Sequence, residues 1–502
     1  MNKIKNISLV ISAATAFQAQ AQAQQQQKPN IIFFLADDLG WRDVACYGST
    51  FYETPNIDQL AREGMMFTNA YAACPVSSPT RASIQTGRYP ARIGVTDWIK
   101  GHQYEKKYME QIKASCPVLP AENLFNMPLS EITIAEALKT NGYRTAHIGK
   151  WHCSVDSTCF PQYQGYDINI AGCAKGSPNA EGGGSYYVPY NNPNLPDGPK
   201  GEYLTDRLGD ECVKIIQKYK DGPFFISFPF YQVHYPLVAK PDKQKYFEDK
   251  AHRLGLDTLK SFNNKPDWAQ KESIKANYHD RIVQNNATYA AMIASMDENI
   301  GKVIAELKRL GLYENTVIVF SSDNGGVSTG EGSPTSNLPL KAGKAHIYEG
   351  GIREPLIAVW KNHIARGSKS ETLVSSVDFF PTLLEMTNTA KPKNDLIDGR
   401  SFLPSLNGKK QDRGAIYWHY PHYHPLGGRP VSAIREGDYK LIEFLDNVDL
   451  ELYNLRTDIS ETTNLASLNK ELTQKMFSKL KKWRTEVHAK MPVKNTNIKA
   501  QK

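Results

Sequence analysis

Residues 30–38 read Asn30-Ile31-Ile32-Phe33-Phe34-Leu35-Ala36-Asp37-Asp38, and this stretch decides the fold. A nearly unbroken apolar run of strand length, stopped by two carboxylates, is the pattern of a β-strand buried on both faces; a strand with one wet face would alternate. The theme returns. Thr316-Val317-Ile318-Val319-Phe320 ends at Ser321-Ser322-Asp323-Asn324-Gly325-Gly326, Tyr143 to Ile148 leads to Gly149-Lys150-Trp151-His152, and Phe224 to Phe230 leads to His234. Helical periodicity lies between these runs, at Ile57 to Glu63, Ile132 to Lys139 and Ala287 to Leu310. Strands alternating with helices predict an α/β domain with a large, mostly parallel central sheet flanked by helices. Such sheets bind ligands beyond the carboxyl ends of their strands, where the polar tails just quoted would converge.

After about Leu406 the texture changes to short aromatic, alternating segments, Ala415 to Tyr420 and Tyr439 to Phe444, followed by an amphipathic helix around Lys470 to His488. This predicts a smaller C-terminal antiparallel sheet plus helix. At the other end, Lys3 and Lys5 precede an apolar run from Ile7 to Phe17 and the small-residue ending Ala21-Gln22-Ala23, the order of a secretory signal peptide over residues 1–23. The organisation expected is a signal peptide at 1–23, a catalytic domain at 24–405 and a C-terminal subdomain at 406–502. The apolar run is shorter than the roughly 18 residues a spanning helix needs, so no membrane insertion is expected. Export to the periplasm or the extracellular space follows.

The 502 residues carry a formal charge of +8, which becomes +6 without Lys3 and Lys5. No Lys/Arg block marks a nucleic-acid footprint, so no nucleic-acid partner is expected. Seven cysteines are too few for a disulfide framework at this length; Cys153 and Cys159 are close enough to close a small loop, and the odd total leaves at least one thiol free.

The chemistry concentrates in Cys74-Pro75-Val76-Ser77-Ser78-Pro79-Thr80-Arg81-Ala82-Ser83-Ile84-Gln85-Thr86-Gly87-Arg88. Asp37, Asp38, Asp323 and Asn324 are oxygen donors after two buried strands, a hard set that selects Ca²⁺ or Mg²⁺ over zinc. Singly, an Asp-Asp pair after a strand is a helix cap and Asp-Asn-Gly-Gly a turn; together with the Ser77 segment they form a pattern. That pattern resembles the type-I, formylglycine-dependent sulfatases, in which a Cys or Ser followed by x-Pro-Ser/Thr-Arg, and several residues on by Thr-Gly, is oxidised to formylglycine. Ser77 has Pro79, Thr80 and Arg81 in register, whereas Cys74 would need proline where Val76 stands. The resemblance runs from about Pro29 to Glu451 and departs at Ala342, where glycine is common, and at Ile84-Gln85, where bulkier apolar residues are.

The resemblance implies an alkaline-phosphatase-like fold, a calcium held by Asp37, Asp38, Ser77, Asp323 and Asn324, and a formylglycine derived from Ser77. It implies that Arg81 holds the nucleophile and metal ligands, that Lys150 and Lys344 bind the sulfate oxygens, that His234 aided by Lys344 protonates the leaving group, and that His152 accepts a proton as sulfate departs. The partners implied are a sulfated saccharide and, transiently, a formylglycine-generating maturase. Asp97-Trp98 and His346 are further specificity candidates. The aromatic run Tyr417-Trp418-His419-Tyr420-Pro421-His422-Tyr423-His424 suits stacking on sugar rings and equally suits an ordinary sheet surface. Likeness to bacterial carbohydrate sulfatases points to a galactose or N-acetylgalactosamine 4-O-sulfate. Two alternatives stand beside this reading: a phosphodiesterase or phosphonate hydrolase of the same superfamily, and a non-catalytic binder of sulfated glycans if Ser77 stays serine.

Overall fold

The computed structural model describes residues 28–101, 106–180, 182–264, 266, 279–393 and 396–498. The expected signal peptide at 1–23 lies outside them, and among the described residues no helix is long and apolar enough to cross a membrane.

The main sheet contains β1 (Asn30–Ala36), β2 (Met65–Tyr71), β3 (Arg144–Ile148), β4 (Ile168–Ile170), β5 (Phe224–Pro229), β6 (Thr316–Ser322), β7 (Arg353–Val359), β8 (Ser368–Ser370) and β9 (Val374–Ser375). Their order is β8-β2-β7-β6-β1-β5-β3-β4, with β9 also pairing β2. From β6 to β4 every pairing is parallel, and β7 enters antiparallel to both β6 and β2. β1 is the central strand, with all seven residues buried. Its two faces serve different cores: Ile32, Phe34 and Ala36 point into one, Ile31, Phe33 and Leu35 into the other. Each fully buried Phe or Leu contributes about 1.5–3 kcal/mol, so a polar substitution anywhere along β1 would be felt on one side or the other.

Helices α1 (Pro55–Glu63), α2 (Ser77–Thr86), α3 (Ile134–Thr140), α4 (Leu204–Tyr219), α5 (Ala287–Arg309) and α6 (Phe379–Met386) cover those faces. Side chains of α1, α4 and α5 fill the first core, and those of α2, α3 and α6 the second. The starts are written in the sequence: Thr133 and Glu136 make a reciprocal capping box at α3, and the Asn286 side chain accepts from Tyr289 N at α5. α2 differs because all ten of its residues are buried and Val76 offers it no side-chain cap. Pro79 falls in its first turn, where a missing N–H costs no intrahelical bond.

Beyond the main sheet, β10 (Ile416–Tyr420), β11 (Val431–Glu436), β12 (Tyr439–Phe444) and β13 (Leu450–Asn454) form an antiparallel meander. Met476, Leu480 and Trp483 of α7 (Lys470–Glu486) cover one of its faces. The other face, with Trp418, Tyr420, Ala433 and Ile442, shares a core with Val76, Val327, Ala342, Ile347 and Tyr348. The small sheet is thus a backing plate for the loops on either side of Ser77 and Lys344.

The pairing of Cys153 with Cys159 that spacing allows is not made, and both are free thiols. Cys153 is buried with its Sγ donating to the Trp151 carbonyl, while Cys159 sits in a separate 3₁₀ turn at Ser157–Cys159.

Candidate active site

Because β1 and β6 run parallel with Ala36 opposite Ser322, their polar tails leave the sheet side by side. Asp323 N donates to the Ala36 carbonyl (3.2 Å), and Asp38 N donates to Asp323 Oδ1 (3.1 Å). Asp38 adopts a left-handed backbone, φ 60°. Such a turn is uncommon outside glycine and sharply redirects the chain after the strand. Ser77, the first residue of α2, meets these tails: its Oγ lies 3.3 Å from Asp37 Oδ1 and 3.2 Å from Asn324 Oδ1. The Asn324 amide is oriented by donating Nδ2–H to Asp38 Oδ1 (2.8 Å). A hydroxyl has one proton and cannot donate to both acceptors at once. Three oxygens converging with too few protons between them suit a hard cation. Asp37, Asp38 and His234 are also near enough to share a metal. The oxygen set is the better fit, because His234 Nε2 stands 3.1 Å from Lys344 Nζ and is engaged by that ammonium.

Three cations are packed into the same acids. Arg81, one turn along α2 from Ser77, puts Nε and Nη2 on Asp323 Oδ2 (2.8 and 2.7 Å) and Nη1 on the Lys150 carbonyl (3.1 Å). Lys150 follows β3 at Gly149, where φ is +115° and a Cβ would stand 1.9 Å from the Pro229 carbonyl oxygen, so only glycine fits. Its Nζ lies 2.6 Å from Asp37 Oδ2, and both groups are fully buried. Lys344 Nζ donates to Asp38 Oδ2 (2.8 Å) and approaches Glu331 Oε2 at 3.4 Å.

Burial and charge then act in opposition. Burial outweighs Lys150 at Asp37, raising its carboxyl to about 6, and the same burial lowers Lys150. At Asp38 burial is overcome by Lys344 and His234, leaving that carboxyl well below the usual range. At Asp323 burial is overcome by Arg81 and Lys150, with the same sign. Lys344 is raised because Asp38 and Glu331 outweigh its own burial.

The histidines are set by their second nitrogens. His152, held at φ 53°, has Nε2 3.2 Å from the Ile99 carbonyl, which requires Nε2 to carry the proton. Nδ1 is then a bare lone pair, and it has no partner among the described residues. Burial, with Lys150 and Arg81 nearby, holds the ring well below its ordinary pKa and therefore neutral. Gly176 leaves room for it: a Cβ there would come within 2.7 Å of Cε1. His234 Nδ1 lies 2.7 Å from the Tyr235 carbonyl, so its Nε2 faces the Lys344 ammonium as an acceptor.

Ser77, His152, His234 and Lys344 line a cavity of about 450 Å³. That volume lies in the ordinary range of small-ligand sites. Trp98 lines it too, with its ring 4.5 Å from that of His424. Asp97 is buried behind Trp98, accepting from Tyr420 Oη (3.0 Å) and Trp98 N (2.9 Å), and burial pushes its carboxyl up to about 7. The structure therefore brings Asp37, Asp38, Ser77, Arg81, Lys150, His152, His234, Asp323, Asn324 and Lys344 together and adds Trp98 at the wall.

One expectation is corrected and one open alternative is decided. His346 does not line the cavity; it is buried with Nδ1 3.1 Å from the Lys344 carbonyl, where it braces that loop. The aromatic run at 417–424 is not a sugar platform, because Trp418, Tyr420 and Tyr423 are core residues and Tyr417 stacks on Trp483. Only its last residue, His424, reaches the cavity. Lys100, Ser177, Glu331 and Leu426 also line it, and sequence reasoning missed them. They sit in irregular segments without periodicity, and only the glycines flanking Glu331 hinted at a special turn.

Comparison with known proteins bears on this arrangement. The sulfatase family matches residues 29–389, and the C-terminal family of N-sulphoglucosamine sulphohydrolase matches residues 342–489. A sulfatase of Formosa agariphila is 32% identical, the alignment covering 96% of this chain and 93% of the relative. Mouse N-acetylgalactosamine-6-sulfatase is 31% identical over 82% of this chain and 72% of its own. Among solved structures, Ps i-CgsB in complex with k-i-k-neocarrahexaose superposes with a TM-score of 0.70 at 29% identity, covering 91% of this chain and 93% of that one.

Proposed function

The chain belongs to the sulfatase family and is a sulfuric ester hydrolase; on that premise we propose that it removes O-sulfate groups from glycan saccharides, using a formylglycine made from Ser77 and a calcium held by Asp37, Asp38, Asp323, Asn324 and residue 77. The observation that carries this reading is Ser77 Oγ poised between Asp37 Oδ1 and Asn324 Oδ1 at the start of a wholly buried helix. When present, calcium supplies Lewis acidity and two positive charges, and formylglycine supplies a far better oxygen nucleophile than a serine hydroxyl without a base.

The chain's own residues do the rest. Three buried carboxylates are matched by Arg81, Lys150 and Lys344, so an arriving sulfate is not repelled by uncompensated acids. Lys150 and Lys344 face the sulfate oxygens and stabilise charge that develops there in a site largely closed to water. Arg81 fixes Asp323 and the start of the Lys150 segment, and so positions residue 77 against its neighbours. A sugar leaves as a strongly basic alkoxide, so it needs a proton as the ester bond breaks. The Lys344–His234 pair supplies it, with Lys344 Nζ donating toward His234 Nε2 at rest. His152 Nδ1, neutral and unpaired, would accept a proton from residue 77 in the cavity they share.

The substrate we propose is a galactose or N-acetylgalactosamine 4-O-sulfate. Its support is the cavity walled by Trp98 and the kinship to an N-acetylgalactosamine sulfatase, whose own name specifies position 6. We assign residues 24–405 to the catalytic domain and 406–502 to the C-terminal subdomain, export to the leader at 1–23, and maturation to a transient formylglycine-generating partner. The test is a matured preparation offered aryl sulfate, aryl phosphate diester and a panel of defined monosulfated saccharides. Preference for sulfate over phosphate, with one galacto-configured monosulfate leading the panel, is expected. A strong phosphate preference would overturn the sulfate chemistry, and a 6-O-sulfate leading the panel would overturn the proposed position.

A further inference from the structure

Among the described residues that line the cavity, Glu331 is the single acid, and the reaction outlined above gives it no task. Its Oε2 lies 3.4 Å from Lys344 Nζ, the ammonium that also bonds Asp38 and His234, and its side chain keeps 31% of its exposure. Its backbone is unusual. Gly330, Glu331, Gly332 and Ser333 have φ of +64°, +46°, +80° and +42°, four left-handed residues in succession of which two are not glycine. Left-handed backbone at such residues persists where the surroundings enforce it. Leu426 is the enforcing neighbour: a Cβ on Gly330 would come within 2.4 Å of its Cδ2, and the Thr329 hydroxyl donates to its carbonyl at 3.2 Å. Arg281 clamps the far side by donating Nε–H to the Ser333 carbonyl. The turn is thereby fastened to the His424–Leu426 wall of the cavity with a carboxylate beside the sulfate-binding lysine.

We infer that Glu331 is a specificity-determining residue that accepts a hydrogen bond from a free hydroxyl on the carbon next to the sulfated one and disfavours a second sulfate there. A hydroxyl gains a charge-assisted bond from the carboxylate. A vicinal sulfate meets like charge in a partly desolvated pocket, the repulsive element that selectivity requires. The nearest cation cannot rescue it, because Lys344 is already bonded to Asp38 and directed at the transferred group. This inference rests on the sulfated-saccharide reading.

Its test uses the full-length Ser77→Ala protein in calcium, which needs no maturation and turns nothing over. The 3-, 4- and 6-O-monosulfates of galactose and N-acetylgalactosamine are titrated calorimetrically. The best binder is then compared with the disulfate that adds a group on the neighbouring hydroxyl. Binding of the monosulfate about tenfold tighter than the disulfate is expected, and adding Glu331→Gln should bring the two within about threefold, as removal of one like charge allows. Glu331→Gly, which relieves the left-handed backbone, should narrow the ratio in the same way. An unchanged ratio in both variants, or a disulfate that binds tighter than the monosulfate to protein with Glu331 intact and is so captured by Lys100, would overturn the role of Glu331 alone. Failure of every saccharide to bind, with aryl sulfate still hydrolysed by the matured wild type, would overturn the saccharide reading and this inference with it.

Discussion

Two clusters of buried charge lie in this molecule, and they are built on different principles. At the junction with the small sheet, Lys440 Nζ bonds Glu349 Oε1 (3.0 Å) and Glu461 Oε1 (2.9 Å), with all three side chains fully buried. The other oxygens are also taken: Glu349 Oε2 accepts from Tyr71 (2.7 Å) and Arg353 (3.1 Å), and Glu461 Oε2 accepts from Glu349 N (2.7 Å). Every acceptor has a protein donor, and the cluster has no task left except to hold the Lys344 loop against the meander. The cluster around Ser77 has equally buried acids, held just as closely by Lys150 (2.6 Å), Arg81 (2.7 Å) and Lys344 (2.8 Å), but leaves one hydroxyl proton between two acceptors at 3.2 and 3.3 Å and Arg81 Nη2 3.5 Å from Asp37 Oδ1. It also opens onto a cavity. A saturated cluster is structural; one left short of donors is prepared for something from outside.

The comparison predicts opposite phenotypes. Relative to the matured wild type, Ser77→Ala should lower kcat by on the order of 10⁴-fold or more, the scale of removing a nucleophile, while shifting stability by less than about 1 kcal/mol. Turnover assays and thermal melts check both halves, and a large loss of stability would make Ser77 structural. Lys440→Met should do the reverse, costing about 3–5 kcal/mol by stranding two buried carboxylates, with kcat per folded molecule unchanged. Denaturant titration measures the first and active-site-normalised kinetics the second; lost turnover in a stable Lys440→Met protein would erase the distinction.

Calcium sharpens the contrast further. At a hundred times its Kd the ion should add about 2.7 kcal/mol to stability, and Asp323→Asn should abolish that gain whereas Lys440→Met keeps it, as melts with and without chelator would show. The smallest effect is in pH. Burial, reinforced by Glu349 and opposed by Lys440, raises Glu461 to about 7. A carboxyl raised in the folded state holds its proton longer than in the unfolded chain, so its contribution to stability falls as pH rises from about 4.5 to 7 and is level above. Glu461→Gln should flatten that decline by on the order of 1 kcal/mol; an unchanged slope would mean that other buried acids set it.

Much of this was readable in the sequence, for reasons that also mark where reading stopped. Residues 31–36 and 317–320 betrayed their strands because burial on both faces leaves no polar positions, and Asp37-Asp38 and Asp323-Asn324 after them betrayed the sheet end where ligands gather. β7 was harder, since it opens with Arg353-Glu354, charges that a strand tolerates only where tertiary partners await; Arg353 finds Glu349 and the Thr68 carbonyl. The 417–424 run stays open in the sequence because Trp and Tyr serve a core and a sugar surface equally well, and only packing against Ala72, Asp97 and Trp483 decides between them. His346 stands two residues from Lys344 and shares its segment but not its exposure to the cavity. Glu331 was invisible, because its place depends on a left-handed turn fixed by Leu426, nearly a hundred residues away.

The claim on which the account turns is that position 77 is no longer serine in the working enzyme. The most direct measurement is the mass of the tryptic peptide containing residue 77, taken from a preparation whose turnover of aryl sulfate has been determined. Conversion to formylglycine removes two hydrogens, so a peptide about two mass units lighter than its sequence requires is predicted. Unmodified serine in protein that turns over at full rate would contradict the account.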